Sequence, residues 1–349
     1  LIIIMFLHLI GNDPKFPKVI REKYEVIAPG RHVYVIVKTH PDQPEFGGDE
    51  FTYVSSPEQL DAVVRSQSNW EAIIINGLLS RLVSFLPVLP LSLPVAYFIW
   101  GGEAYAGVFS GPDALYGPQT RAVVLNGEER IKGWLSLLFG ARARQRRECR
   151  KVAKYIDIAL FPIQGEVDLF IKRKLLLEST EAMLGNVGSG IDFEMPVFDK
   201  GISGENILIG NSADPTNNHL DTFTWLQSQQ LDLVARKVIV PLSYGGNEEY
   251  KERVLTAGRV AFGEAFYPLL DFMPYSEYMD IVRSCRFVIM NHRRQQAAAN
   301  VFTALALGAS VYLNDETTLA TGLKSMGFRI GSISCPEGLA SGALMAIGL

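Results

Sequence analysis

Gly210-Asn211-Ser212 follows the short apolar run Asn206-Ile207-Leu208-Ile209 and precedes Asp214-Pro215 and a helical pattern from about Asn218 to Gln229. A strand that ends in glycine and small polar residues, followed by a helix, leaves backbone N–H groups free at the strand's carboxyl end. The helix N-terminus adds partial positive charge, so the arrangement suits a phosphate. The stretch has neither the GK[ST] of a Walker loop nor GxGxxG, and its local residues fit an ordinary βα turn equally well. A second polar run, Asn291-His292-Arg293-Arg294-Gln295-Gln296-Ala297, stands between the strand pattern Arg286 to Met290 and the helix pattern Ala298 to Leu307. Arg293 and Arg294 there read as partners for a pyrophosphate or as a solvated pair. Two acids also end strand patterns: Asp13 after His-Leu-Ile-Gly-Asn, and Glu103 after Phe-Ile-Trp-Gly-Gly. Either is placed to take a proton from a bound hydroxyl, and either serves as a turn acid. His8 lies inside the first apolar run, where a satisfied core histidine is the usual outcome; it ranks behind both acids as a base.

The elements that must position these residues follow from the alternation of patterns. Leu1 to Ile10 is too short to span a bilayer and lacks a basic n-region and cleavage site, so it reads as a buried parallel strand. Val33–Val37, Ala72–Gly77 and Val95–Trp100 read as strands, Glu58–Asn69 as a helix, and Gly77–Leu86 as helical. Leu82 to Trp100 carries no charge, but Pro87, Pro90 and Pro94 argue for a loop feeding a buried strand rather than a membrane helix. Ile156–Phe161, Lys237–Val240 and Val311–Leu313 add strands, Tyr250–Ala257 a helix, and Ser276 is a plausible N-cap for a helix opening near Met273. Strands alternating with helices imply βαβ units and parallel sheets, with ligands outside the strands' carboxyl ends. A Gly-rich, aperiodic stretch sets the expected division: an N-terminal domain over 1–190, a linker over 191–204 and a C-terminal domain over 205–349.

A length of 349 residues suits two domains, and an apolar content of 48 % is that of a globular chain. Cys149, Cys285 and Cys335 form no metal pattern and argue for a reducing compartment. Histidines number only five, which argues against a His-rich metal site. The net charge of −4 conceals a basic stretch. Ile131, Trp134, Leu135 and Leu138 share one helical face, and Arg142, Arg144, Arg146, Arg147, Arg150, Lys151 and Lys154 follow with Glu148 as the lone acid. Apolar and aromatic residues beside such a cluster suit an anionic membrane surface, although a solvated basic helix has the same composition. Stacking aromatics are not interleaved with these charges, so nucleic acid is not expected.

The ordered runs ILIGNSADPTNNHL, VIVPLSYGGNEEY and PYSEYMDIVRSCRFVIMNHRRQQAAANVFTALALGASVYLN, with HLIGND and FIWGGEAY in the first half, resemble glycosyltransferase family 56. The resemblance implies a GT-B fold: two Rossmann-like α/β domains whose parallel sheets face an interdomain cleft. It implies transfer of a deoxyamino sugar, such as 4-acetamido-4,6-dideoxygalactose, from a TDP-sugar to a polyprenyl-diphosphate-linked oligosaccharide in bacterial surface polysaccharide synthesis. No cofactor and no metal are implied. The implied donor site takes Gly210, Asn211 and Ser212 around the pyrophosphate and Pro241 and Tyr244 near the nucleotide. Tyr275, Asn291, Gln295, Gln296 and Asn300 stand nearby, with Arg293 added on chemical grounds. Asp13 is expected as base and Glu103 as orienter of acceptor hydroxyls, with peripheral attachment at the cytoplasmic face of the inner membrane through Trp134, Leu138, Arg142, Arg146, Arg147, Arg150 and Lys151. Residues 14 to 70 depart from the family pattern, and its further C-terminal helical segment is not recognised before Leu349. A GT-B-shaped sugar-nucleotide epimerase or hydrolase, or a non-catalytic nucleotide-sugar binding protein, would share the fold without needing the basic stretch.

Overall fold

The structure is a computed structural model describing residues 4–13, 16–46, 48–77, 79–100, 105, 111, 113–125, 127–185 and 201–334. The chain forms two compact units, Leu1–Phe109 with Leu135–Gly190, and Ser110–Trp134 with Ile191–Leu349.

In the first unit, β1 (Met5–Gly11), β2 (His32–Val37), β3 (Thr52–Val54), β4 (Trp70–Asn76), β5 (Val95–Phe98), β6 (Ile158–Phe161) and β7 (Glu181–Leu184) form one seven-stranded sheet. Its order is β3-β2-β1-β4-β5-β6-β7, and every pairing is parallel. The central strands are continuous apolar runs because both faces are covered. On one face, Ile20 and Tyr24 of helix α1 (Phe16–Ile27) pack with Ile10, Tyr34, Ile36 and Ile74. Helix α2 (Pro57–Arg65) begins at an N-cap, Ser56, whose side chain accepts from Gln59 N. The helix expected over Gly77–Leu86 is replaced by two short 3-10 turns, Arg81–Ser84 and Leu86–Val88. Pro87 and Pro90 remove donors that a continuing α-helix would need. The uncharged stretch thus feeds β5, and among the described residues no helix is long and apolar enough to cross a membrane.

In the second unit, β8 (Asn206–Ile209), β9 (Val238–Pro241), β10 (Phe266–Leu269), β11 (Cys285–Met290), β12 (Ser310–Leu313) and β13 (Gly331–Ser332) form a six-stranded sheet in the order β10-β9-β8-β11-β12-β13. All of its pairings are parallel too. Pro268 is accommodated because β10 is an edge strand. Helices α7 (His219–Ser228) and α8 (Glu248–Phe262) cover one face, setting Phe223, Leu226, Val254 and Phe262 on Ile207, Ile209, Val238 and Val240. Helix α9 (Tyr275–Arg283) starts one residue before Ser276, on Pro274, and has no side-chain cap, which corrects the expected Ser276 cap. Proline's fixed φ already suits a helix start. Helices α10 (Ala298–Ala306) and α11 (Thr318–Ser325) complete the unit.

The excursion of residues 110–134 into this unit has no place in a division at 191–204. Its anchor is helix α3 (Pro118–Val124), whose first turn is capped from α7: Asp221 accepts from Gln119 N and Thr120 N, both at 2.9 Å. Asn218 Oδ1 accepts from Gly117 N at 2.7 Å. Helices α4 (Gly127–Leu138) and α5 (Ala141–Ala153) then lead back to the first unit, where α6 (Gly165–Lys172) follows β6.

Candidate functional site

In the second sheet the strand order reverses between β8 and β11, and open parallel sheets bind ligands outside the carboxyl ends at such a point. Gly210-Asn211-Ser212 leaves β8 there, and Asn291-His292-Arg293 leaves β11. Gly210 has φ +69°, and a Cβ on it would lie 2.7 Å from Asn217 Oδ1. Only glycine permits that close approach at that conformation.

Three strand-end loops meet at Asn211. Its amide donates to Tyr244 Oη at 3.3 Å, beyond β9, and accepts from Gln296 Nε2 at 3.4 Å, beyond β11. Its backbone N–H donates to Asn217 Oδ1 at 2.9 Å. Asn217 is fully buried and uses its whole amide, since Nδ2 donates to Ser212 Oγ at 3.2 Å and Asp214 O at 2.9 Å. His292 Nε2 lies 2.9 Å from the same Asn217 Oδ1; an amide oxygen only accepts, so the ring proton sits on Nε2. Burial, with Arg294 and His219 adding to it, pushes His292 down to about 3, so it is neutral at pH 7. His219, also buried and pushed down to about 4, sets Nδ1 3.2 Å from Tyr250 Oη. Thr216 Oγ1 lies 2.6 Å from Asp214 Oδ1 and 2.8 Å from Gln296 Oε1, tying the β8 loop to the β11 loop a second time.

Both helices that follow the switch-point strands start at a left-handed, non-glycine residue, Asn218 (φ 52°) before α7 and Ala297 (φ 57°) before α10, and neither start has a side-chain cap. Left-handed alanine is strained, and such strain concentrates at ligand clamps. The first N–H groups of an α-helix lack intrahelical partners, and α10 has no acid in its first turn to oppose an anion bound there.

Of the other expected donor residues, Pro241 is the buried last residue of β9 and Gln295 is buried within the β11 loop. Asn300 lies in the first turn of α10, and Arg293 is partly exposed with its guanidinium 3.9 Å from Glu316. Tyr275 opens α9 two strands away, past the edge strand β10. Sequence reasoning missed Asn217, Asn218, His219, His292 and Asn314. Asn218, itself fully buried, donates to Asn291 O at 2.8 Å, and Asn314 donates to Asn291 Oδ1 at 3.1 Å. The one available signal was the unbroken polar run Thr216-Asn217-Asn218-His219 at a helix start.

Of the expected catalytic residues in the first unit, Asp13 stands at the carboxyl end of β1 and accepts from Phe16 N at 3.1 Å, capping α1. Glu103 lies outside the described residues. His8 is fully buried, edge-on to Tyr24, with Nε2 2.8 Å from His32 Nδ1. Burial and the neighbouring His32 hold it well below the usual imidazole range. In the middle of β1, with its ring packed among Tyr24, His32 and Tyr34, His8 reads as a core residue.

On α4, Ile131, Trp134, Leu135 and Leu138 are all exposed, and Phe139 extends the stripe. Trp134 is half-covered because its ring lies over Gly111. On α5, Arg147 and Lys151 point to solvent and Arg142 is partly exposed. Arg146 donates to Leu137 O, and Arg150 donates to Arg173 O at 3.3 Å, so these two also hold α5 in place.

The family model described as 4-alpha-L-fucosyltransferase, glycosyl transferase group 56, matches residues 150–327. Among solved structures, an alpha,alpha-trehalose-phosphate synthase (UDP-forming) from Burkholderia vietnamiensis aligns with a TM-score of 0.60 at 11 % identity, covering 98 % of this chain and 92 % of that one. The N-terminal domain of Candida albicans trehalose-6-phosphate phosphatase gives 0.60 at 10 % identity, over 97 % and 88 %. A putative UDP-N-acetylglucosamine 2-epimerase from Listeria monocytogenes gives 0.53 at 12 %, over 99 % and 88 %. At such identities these likenesses speak to the fold, two parallel-sheet α/β domains of GT-B type. The family match spans more than half of the chain and takes in the whole switch point from β8 to α10, and so the chain belongs to glycosyl transferase group 56, the 4-alpha-L-fucosyltransferase family, and is a glycosyltransferase.

Proposed function

We propose that this glycosyltransferase moves a deoxyamino sugar, of the 4-acetamido-4,6-dideoxygalactose kind, from a TDP-sugar to a polyprenyl-diphosphate-linked oligosaccharide. The observation that carries the donor half is the switch point of the second sheet, where Asn211 joins three strand-end loops. Departure of a nucleoside diphosphate leaves negative charge that must be met by preorganised donors. The uncapped start of α10 and Arg293 supply them without need of a divalent ion. In a direct displacement the acceptor oxygen bonds to the anomeric carbon as the diphosphate leaves, and the hydroxyl proton passes to a carboxylate. Asp13 takes that role on the first unit, where its placement at the end of β1 favours it. A lipid-linked acceptor requires work at a membrane surface. The exposed stripe of α4 followed by the basic α5 suits peripheral attachment to anionic lipid at the cytoplasmic face of a bacterial inner membrane.

Titration calorimetry with TDP in the presence of a chelator tests the donor site. Saturable binding that weakens at least tenfold in Asn211→Ala is expected. Binding that disappears with the chelator removes the metal-free site, and undiminished binding by Asn211→Ala removes the assignment to this loop.

A further inference from the structure

The first sheet has a switch point of its own, between β1 and β4. Its β4 side ends in Asn76, which is 3 % exposed and whose amide oxygen and nitrogen both lack a hydrogen-bond partner. A buried primary amide with neither end satisfied is a costly choice for a core position. The neighbours make it odder. In register beside Asn76 stand Ile10 on β1 and Phe98 on β5. Residues two apart on a strand share a face, so Asn76 continues the face of Ile74, which packs beneath α1. That face leads up to the first residue of α1, Phe16, whose ring meets Trp100 edge-on at 4.2 Å. Trp100 in turn packs on Phe98 at 5.8 Å. Phe16 and Trp100 are only partly buried, at the rim of the sheet's carboxyl end.

We propose that Asn76 and the Phe16–Trp100 pair form a sugar-binding subsite of the first unit. A pyranose offers hydroxyl or acetamido groups, which donate and accept side by side, and a face of C–H bonds. The free amide of Asn76 matches the first, and a partly exposed aromatic pair matches the second. Apolar walls around a few placed polar groups are the usual make-up of a small-ligand site. The subsite rests on the reading that the first unit receives the acceptor, and it names the group there that grips an acceptor sugar. Asn76 is closed off in this state, so engagement involves side-chain rotation at the rim, a common scale of adjustment on binding. It is a binding residue, separate from the proton transfer assigned to Asp13.

The test uses the whole chain and two simple probes, methyl β-glucopyranoside and its 2-acetamido-2-deoxy analogue, observed by saturation-transfer NMR at millimolar concentration. The wild type is expected to transfer saturation to the ring protons of at least one glycoside. Asn76→Leu removes the unsatisfied amide at similar volume; its thermal midpoint should stay level or rise while glycoside affinity falls at least tenfold. Trp100→Leu, at the rim, is the second variant and should weaken the glycoside with Asn76 intact. TDP calorimetry on the same samples reads the second unit, so a failure of the donor assignment with glycoside binding retained is told apart from a failure here. Equal glycoside signals from wild type and both variants, or none from the wild type with either probe, overturns the subsite.

Discussion

Asn217 decides the shape of the loop after β8, the proposed donor site, because one buried amide fixes Asn211 N, Ser212 Oγ, Asp214 O and His292 Nε2 together. Asn217→Ala leaves several buried groups unpaired, and each costs about 1–3 kcal/mol. The expected outcome is a loss of roughly 2 kcal/mol or more in denaturant unfolding together with TDP affinity at least tenfold weaker. A variant that loses stability but binds TDP normally would show that the hub serves folding alone. Asp13 tests a different function at the same scale. Asparagine caps helices as well as aspartate does, so Asp13→Asn should keep the bond to Phe16 N and the fold. Loss of a general base costs about a hundredfold or more in rate. Transfer should therefore fall by at least that factor with TDP affinity unchanged, and near-normal turnover places the base elsewhere.

Helix α4 carries an apolar stripe that nothing covers among the described residues of its own helix face: Ile131 is 64 % exposed, Leu135 54 % and Leu138 55 %. Burial of a leucine side chain is worth about 1.5–3 kcal/mol, and each basic residue near an anionic surface adds on the order of 1 kcal/mol. Leu135→Glu with Leu138→Glu touches only exposed positions, so folding should be unaffected while flotation with anionic liposomes is lost. Flotation of the wild type should also weaken with salt. Unchanged flotation of the double variant would sink the attachment through α4. The same helix shows what was legible in the sequence. Its spacing of apolar residues put Ile131, Trp134, Leu135 and Leu138 on one face, and the continuous runs at β1, β4, β5, β8 and β11 announced buried parallel strands. Short edge strands such as β3, β7 and β13 have too few residues for a pattern, and β10 hides behind Pro268. The joining of α3 to the second unit was illegible for another reason. It depends on Asn218 and Asp221 capping a helix about a hundred residues away in sequence, and hydrogen bonds at that range leave no periodicity. Asn217, Asn76 and His292 are polar residues in buried places, and nothing in the local sequence marks a polar residue at a strand end or loop as buried.

Across the whole molecule, three imidazoles are pushed well down by burial, His8 in the first unit and His219 and His292 in the second, and burial lowers the part-buried His32 as well against the opposing charge of Glu25. In the unfolded chain each takes a proton near pH 6.5, whereas in the folded protein His219 waits until about 4 and His292 until about 3. Between those limits the unfolded state binds more protons than the folded one, so stability falls as pH falls. The histidine contribution is complete about one unit above pH 6.5, begins to fall near that value and is lost progressively below it. Each group adds a slope of up to about 1.4 kcal/mol per pH unit, and together the three reach roughly 4. Asp315, held low by Lys324 and Ser332 against the opposing effect of burial, works in the same direction, but only as pH enters the carboxylate range. The window from pH 6.5 down to about 4.5 therefore belongs to the histidines. Urea unfolding at pH 7.5, 6.5 and 5.5 should give a small drop in midpoint between the first two values and a drop two to three times as large between the second and the third. Histidine ring-proton NMR on the folded protein supplies the independent readout, with His219 and His292 silent down to pH 5 and His8 titrating well below the usual imidazole range. A flat urea midpoint across this range, or the rings of His219 and His292 titrating near 6.5, would mean that the two imidazoles beside Asn217 and Gly210 are solvated rather than buried behind the β8 loop.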